Sequence, residues 1–493
     1  MRAAEDAAFA RGVEAEALME QAGHGIAETV SRFFPTPGLC VVFAGKGHNA
    51  GDAFVAARLL ASTGWEIDLH VAFDAGEVSQ LAGAKLRTLR KLAKAAPATS
   101  LRSQPIIALD GLLGVGAKLP LRGRISAACG ELNRLRTEHN AYSFAIDLPT
   151  GLDSDSGEAD PDCVVADFTV TIGFAKRGLV ADRASNYVGR VEVVELDDLR
   201  SDERALETMA AAASLSFLPR RKFDAYKNQF GRVGVVAGSR GFTGAALMCS
   251  LGALRAGAGL VELFVPEEIY PVVAAAAAPE VMVKPVSDYR DLLREKIDVW
   301  AIGPGLGQSH AAEILELVVS AEAPAIVDAD GLNVLAATPE VLNQCRGPRL
   351  LTPHPGEMAR LFPHGPSARA EIARTFCDQY RATLLFKGSR TIVAERDRPI
   401  SYNTTGTPGM ATGGMGDVLT GVCAALVAQK LSLYDAARSG AWLCGRAAEI
   451  AIFNDGASEE SLLPSDVLGH LGAAFTDLRS AAGKRYSLGK NRL

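Results

Sequence analysis

The sequence predicts a two-domain α/β protein in which each domain is a largely parallel sheet covered by helices. Three observations carry that prediction. The chain of 493 residues exceeds the roughly 250–300 residues at which a single hydrophobic core stops growing. Two successive series of short apolar runs, bounded by glycine or an acid and separated by helix-period segments, have the pattern of strands joined by crossover helices. Several of these runs are apolar on both faces, as strands buried between helical layers are.

In chain order, the first series predicts strands at 39–45, 66–73, 105–114, 142–149, 168–174 and 191–196. Residues 197–215, DDLRSDERALETMAAAASL, carry charges and alanines without a strand signal. That break sets the boundary near residue 205, with domains at 1–205 and 206–493. The second series predicts strands at 231–239, 259–266, 298–305, 323–332, 348–357 and 382–395. It closes with two helical patterns, 412–428 and 433–452, the first introduced by a glycine-rich turn.

Composition narrows the function class. With 48% hydrophobic and 22% charged residues and a net charge of −6, the chain resembles an average globular protein. The densest basic cluster is only Arg220, Arg221 and Lys222, which reads as a solvated linker and excludes nucleic acid as an expected partner. Eight cysteines without a CxxC pair imply reduced thiols and a reducing compartment. The N-terminus alternates acids with alanines where a signal peptide carries a basic end, and no apolar run reaches the roughly 18 residues of a membrane span. We therefore expect a cytoplasmic protein without a membrane partner, and a homo-oligomer.

Chemistry-bearing residues gather at strand ends. The segment GLCVVFAGKGHNAGDAFVAARLL runs from a strand through a polar turn into a helix, where free N–H groups can meet an anionic ligand. Gly45 and Gly47 permit close approach, and Asn49 and Asp52 offer oxygens. The plainer alternative is a turn capped by Asp52. Asp110 and Asp147 end two further strands, so Asn49, Asp110, Asp147 and Thr150 are expected to converge on one crevice. Taken singly, each acid is more often a cap or turn former. Oxygen donors alone select a hard cation over zinc.

The stretches LMEQAG, GKGHNAGDAFVAAR, DGLLGVGAKLPLRG and DLPTGLD resemble the NAD(P)H-hydrate epimerase family across the whole first half. The resemblance implies a Rossmann-like three-layer domain. It implies that His48, Asn49, Ala50, Gly51 and Asp52, together with Gly114, Val115, Gly116, Ala117, Lys118, Leu119 and Pro120, line the substrate site. Asp147 contacts the substrate as a catalytic residue, and Asn49, Asp110 and Thr150 hold K+. The chain departs from the family at His48 (usually asparagine), Ala50 and Ala53 (glycine) and Thr150 (serine).

In the second half, NTTGTPGMATGGMGDVLTG combines a glycine-rich turn with Asp417 at a helix start. Backbone N–H groups there can hold a transferring phosphoryl group while the aspartate takes a proton. A turn with Asp417 as a helix cap is the alternative. Lys387, before a polar turn, suits a nucleotide phosphate or a plain hairpin. His354 lies between prolines and is expected to contact a ligand. No P-loop pattern occurs. GSRGFTGAA, GPGLG, DADGLN, LTPHPGE, KGSRT and GMATGGMGDVLTG, in that order, are similar to the ribokinase-like NAD(P)H-hydrate dehydratase family over about residues 210–490. The resemblance implies that Ala245, Gly305, His354 and Asp417 touch the hydrated cofactor, with Asp417 catalytic. Lys387, Gly388, Ser389, Arg390, Thr391 and Gly416 bind ADP or ATP with Mg2+. Met415 and Thr407 replace residues usual in the family.

The implied function is repair of NADH and NADPH hydrates by epimerisation and ADP- or ATP-dependent dehydration. Competing readings are a vitamin or sugar kinase, an NAD(P)-dependent oxidoreductase and a non-catalytic NAD(P)H sensor. GKGHNAG matches the oxidoreductase fingerprint poorly. Ala50 stands at the third glycine, and the next strand reaches no acid until Asp74.

Overall fold

The computed structural model describes residues 2–74, 76–92, 105–199, 205–216, 218–363, 365 and 367–489, with the backbone alone for 2, 3 and 482–489. The chain divides into two compact units, Met1–Arg204 and Ala205–Leu493. All eight cysteines are unpaired. Among the described residues, no helix is long and apolar enough to cross a membrane.

The first unit holds strands β1 (Leu39–Ala44), β2 (Glu66–Val71), β3 (Ile106–Gly111), β4 (Tyr142–Ile146), β5 (Phe168–Ile172) and β6 (Arg190–Val194). They form one sheet in the order β2-β1-β3-β4-β5-β6, with every pairing parallel. Side chains alternate across a strand. Leu39, Val41 and Phe43 of β1 and Ile106 and Ala108 of β3 share one core with Ile125, Cys129 and Leu132 of helix Gly123–His139. The intervening Cys40 and Val42 are equally buried, and helix His48–Ser62 packs against both strands and against helix Ala15–Phe33. Burial on both faces explains why these strands read as unbroken apolar runs. The strand order reverses between β1 and β3, and a crevice opens at such a point beyond the carboxyl ends.

The second unit contains β7 (Glu207–Ala210), β8 (Arg232–Val236), β9 (Leu260–Pro266), β10 (Met282–Val286), β11 (Val299–Ile302), β12 (Ala325–Val327), β13 (Arg349–Leu351), β14 (Thr383–Phe386), β15 (Ile392–Ala394) and β16 (Ile400–Asn403). Their order is β10-β9-β8-β11-β12-β13-β14-β15-β16-β7. The sheet is parallel from β10 to β14, and β14 to β16 form an antiparallel meander. Here the order reverses between β8 and β11, the second switch point. Helices Thr243–Arg255 and Met415–Ala428 pack closely beside it. A Cβ on Gly421 would stand 2.0 Å from the Cys249 carbonyl oxygen, and one on Gly252 would stand 2.7 Å from that of Val418. Only glycine lets these two backbones approach so far.

The structure corrects the expected elements in five places, the first being β16, which no expected run covers. Segment 197–215 does contain a strand: β7 pairs in parallel with β16, and as a four-residue edge strand it is too short to show alternation. Strand β10 carries Pro285, which a sheet tolerates at its edge but which hides the strand signal. The run 382–395 is a hairpin of β14 and β15 rather than one strand. The unit closes with three helices, since Pro464–Gly489 follows Leu433–Phe453. Gly469, Gly472 and Gly483 weaken the helical propensity of that last segment.

The closing helices hold a loop. The Gly406 N–H donates to Glu449 Oε1 at 2.9 Å, and Glu449 is fully buried. Arg446 bridges Glu449 at 3.2 Å and Asp477 at 2.7 Å.

Gly303, just after β11, has φ +129°, and a Cβ there would stand 1.8 Å from the Asp328 carbonyl oxygen. Gly303→Ala must therefore move the backbone of 328. It should cost at least about 1–3 kcal/mol in strain, measured as a lower urea midpoint for unfolding of the second unit.

Candidate active sites

In the first unit, three predicted oxygen donors meet at the β1/β3 switch point. Asp110 is fully buried. Its Oδ1 accepts from the Thr150 hydroxyl at 2.7 Å and from Leu112 N–H at 3.2 Å, and its Oδ2 accepts from Thr150 N–H at 2.7 Å. Asn49 Nδ2 donates to the Leu113 carbonyl at 3.0 Å, and Leu113 N–H donates to Thr150 Oγ1 at 3.1 Å. The three side chains are thus tied through Leu113. Burial pushes the Asp110 carboxyl up to about 6, against the pull of these hydrogen bonds. Among the described residues only hydrogen-bond donors offset its charge.

Asp147 has a different partner. Its backbone is left-handed, φ +70°, a conformation costly for a non-glycine residue and concentrated at functional sites. Its carboxylate accepts from Ile172 N–H at 3.1 Å and pairs with Lys176. Lys176 Nζ also donates to Thr171 Oγ1 at 3.1 Å and to the Ile172 carbonyl at 3.0 Å, so all three of its protons are used. Asp52 lies within the field of both: burial, then Asp147 and Glu5, push its carboxyl well above the usual range, with Lys176 opposing. Asp52 is no cap, because the helix begins at His48 with Gly47 as its N-cap. Sequence reasoning missed Lys176. A strand-end rule applied to β5, followed by GFAKRG, points to it.

The other predicted positions of this unit divide by exposure. His48, Val115, Gly116, Lys118, Leu119 and Pro120 are exposed, and Gly114 and Ala117 are partly so. Ala50 and Gly51 are buried; a Cβ on Gly51 would stand 2.4 Å from Met19 Cε. These two shape the turn from behind. Gly45 is required, since a Cβ there would stand 2.0 Å from the Leu112 carbonyl oxygen, whereas one on Gly47 would meet open space.

In the second unit, Lys387, Gly416 and Asp417 gather with Asp328 and Glu357. Lys387 Nζ lies 2.7 Å from Asp328 Oδ1 and 3.7 Å from Glu357 Oε2. Asp328 Oδ2 accepts from the Thr420 hydroxyl at 2.8 Å. A Cβ on Gly416 would stand 3.3 Å from Lys387 Nζ, so glycine keeps this space open. Asp417 stands in the first turn of helix Met415–Ala428, whose N-cap is Gly414 at φ +95°; it is not the cap. Burial, then the neighbouring Asp328, push the Asp417 carboxyl up to about 6, with Lys387 opposing and Asp330 and Glu357 adding to the rise. Burial disfavours the charge on Lys387, but Asp328 and Glu357 outweigh it and raise its pKa.

Ala245 and Gly305 face each other across the β8/β11 switch point, with the Ala245 Cβ 3.0 Å from where a Gly305 Cβ would be. His354 caps helix Pro355–Leu361: its Nδ1 accepts from Gly356 N–H at 3.0 Å and Glu357 N–H at 3.3 Å, and Glu357 Oε2 accepts from His354 N–H at 2.8 Å. The imidazole, about half exposed, thereby orients Glu357 toward Lys387. Gly388–Thr391 form the hairpin turn. Ser389 is exposed and Arg390 buried, and Arg369 Nη2 donates to the Arg390 carbonyl at 3.1 Å. Asp328 and Glu357 were not singled out from sequence, although DADGLN ends an apolar strand as Asp110 and Asp147 do.

A family model for NAD(P)H-hydrate dehydratase matches residues 233–468, and one for the YjeF-related protein N-terminus matches residues 15–178. The bifunctional NAD(P)H-hydrate repair enzyme Nnr of Moorella thermoacetica is 36% identical over 493 residues, covering 92% of this chain and 91% of its own. Its counterpart from Coxiella burnetii is 35% identical, covering 96% and 97%. Among solved structures, the ADP/ATP-dependent NAD(P)H-hydrate dehydratase of Bacillus subtilis, co-crystallised with ATP and Mg2+, is 28% identical. It covers 54% of this chain and 96% of its own, with a TM-score of 0.48.

The Asp417 environment makes a two-directional prediction. Carbonyl NMR should find Asp417 titrating near pH 6. Asp328→Asn, which removes a like charge, should lower that midpoint. Lys387→Met, which removes the opposing cation, should raise it. Shifts of the same sign in both variants would contradict the arrangement.

Proposed function

The chain belongs to the bifunctional NAD(P)H-hydrate repair enzymes, and from that membership we propose which of its residues carry the two activities. Its substrates are hydrated NADH and NADPH, and adenine nucleotide drives the dehydration. Likeness over nearly the full chain to repair enzymes sets aside the vitamin or sugar kinase and the oxidoreductase.

Hydration adds water across the C5–C6 bond of the dihydropyridine ring, and hydroxide is a poor leaving group near neutral pH. Phosphorylation supplies a better one. The observation that carries the assignment is Asp417, partly buried at a glycine-started helix beside Lys387. Asp417 takes the proton of the ring hydroxyl as its oxygen attacks the terminal phosphorus of the nucleotide. The bond from that phosphorus to the bridging oxygen breaks, and the shortened nucleotide leaves. The ring nitrogen lone pair then expels phosphate from C6, the departing phosphate takes the proton from C5, and the C5–H electrons restore the C5–C6 double bond. Lys387 and the N–H groups behind Gly416 meet the charge on the phosphoryl oxygens. Ala245, Gly305 and His354 face the hydrated cofactor, and Gly388–Thr391 the nucleotide. Magnesium would be held chiefly by nucleotide phosphates and one or two carboxylates. Asp328 and Glu357 are the carboxylates at hand.

For epimerisation we assign Asp52 as the acid and Asp147 as its partner base. Asp147 is paired with Lys176, and burial, then the neighbouring Asp147, push the Asp52 carboxyl well above its usual range. Asp52 can then give a proton to the C6 hydroxyl, which leaves as water while the ring nitrogen lone pair closes a C=N bond. Water returns on the other face and its proton passes to a carboxylate. Asn49, Asp110 and Thr150 fit K+: the donors are all oxygens, and a buried carboxylate met only by hydrogen bonds favours a cation. Bound there, K+ would stiffen the loop at Leu113.

Two experiments test these roles. Asp417→Asn keeps shape but loses the base, so dehydration turnover should fall about 10²- to 10⁴-fold while nucleotide affinity changes little; turnover within a few-fold of the parent removes Asp417 from the mechanism. In the parent, kcat for dehydration should fall as pH drops below about 6, where Asp417 protonates. Separately, R-to-S interconversion should depend on potassium, and Asp110→Ala should abolish that dependence. Dehydration of pure S hydrate serves as the folding control, and equal loss of both activities would make Asp110 structural.

A further inference from the structure

The DADGLN segment gives two neighbouring acids separate partners. Strand β12 stops at Val327, and Ala329, two residues on, has φ +50° and ψ −117°, a backbone that residues bearing a side chain rarely adopt. Asp328, before that bend, meets Lys387 and Thr420. Asp330, after it, starts helix Asp330–Leu335. Its Oδ2 accepts from Gly307 N–H at 2.8 Å, and its Oδ1 accepts from Asn333 Nδ2 at 3.2 Å. Asn333 Oδ1 accepts in turn from Arg360 Nε at 3.0 Å. Arg360 stands in the last turn of helix Pro355–Leu361, whose cap is His354. At the other end of this relay is the GPGLG turn after β11, in which Gly305 and Gly307 are both left-handed, φ +63° and +67°. Such glycines give a turn little stiffness of its own. Ser239 Oγ holds it at the Gly305 carbonyl, 2.8 Å away, and Asp330 holds it at Gly307.

We propose that Asp330, acting with Asn333 and Arg360, is a positioning residue for the hydrated cofactor. The three form a polar bracket that fixes the glycine turn at Gly305 against the helix that His354 caps. This rests on the assignment of Gly305 and His354 to the hydrate. The bracket sets the two walls between which the hydrate lies, and Asp330 itself touches neither the reacting ring nor the nucleotide. Asp328, on the other side of the bend, serves Lys387 and the nucleotide. The backbone at Ala329 thus lets adjacent acids organise the two ligands independently.

The test uses the full-length chain with pure S hydrate and ADP at about pH 8, well above the Asp417 midpoint of about 6, so that the base stays ionised in every variant. Asp330→Ala should raise KM for the hydrate about 10-fold, the lower end of what a hydrogen bond to a charged group is worth, while KM for ADP and kcat change little. Its Gly307 amide should exchange with solvent faster than in the parent, in a chain that remains folded. Asp330→Asn keeps an oxygen for the Gly307 N–H and should recover most of the loss. Arg360→Gln should act in the same direction yet add nothing to Asp330→Ala, because members of one network do not add. His354→Asn, which keeps a capping oxygen, checks the underlying assignment and should also raise KM for the hydrate. If His354→Asn raises it and Asp330→Ala does not, the hydrate site stands and the bracket falls. If neither does, the hydrate lies elsewhere and both fall. Equal rises in KM for hydrate and ADP, or additive costs of Asp330→Ala and Arg360→Gln, reduce Asp330 to a residue that only stabilises the fold and overturn the proposal.

Discussion

A parallel sheet brings every strand to an end on the same side, and the residue after each strand is delivered to one edge. Both units of this chain depend on that constraint. Asn49, Asp110 and Thr150 follow or end three adjacent strands of the first sheet. In the second, Asp328 follows β12 and Lys387 follows β14, and each switch point holds the space between its neighbours open. Glycines at Gly45 and Gly303 are needed where backbones of adjacent strands come closest, because a methyl group there would push apart the ends that carry the chemistry.

Gathering acids at one edge creates an electrostatic problem, and the chain meets it in two ways. Asp147 and Asp328 are each given a lysine, Lys176 and Lys387, as a direct partner. Asp110 has hydrogen bonds alone, and Asp52 and Asp417 feel like-charged neighbours. Their carboxyls rise toward the protonated form. Carboxyls set in such different surroundings within one crevice suit the paired acid and base roles proposed for them.

Much of this was legible in the sequence, for a physical reason. Strands buried on both faces are unbroken apolar runs, and an acid closing such a run is conspicuous, so β1 to β6 and the oxygens of Asn49, Asp110, Asp147 and Thr150 could be read directly. Elements at the sheet margin were not: β7 is too short to alternate, and β10 contains a proline. Lys176 escaped because its role comes from a carboxylate 29 positions away, a relation no local pattern contains. Glu357 was hidden by its cap. The residue that caps its helix is a histidine, and the usual signature has serine or threonine in that place.

The buried chain of contacts from Asp477 through Arg446 and Glu449 to the Gly406 N–H joins helix Pro464–Gly489 to the loop that leads into the Asp417 helix. Glu449 is fully buried, and Arg446 and the loop amide are among the partners that meet its carboxyl there. Helix Pro464–Gly489 is therefore a clamp on the loop that leads into the Asp417 helix. Trimming the chain back into this helix, as a protease or an engineer shortening the protein would, would first be felt as a loosened glycine turn about sixty residues upstream.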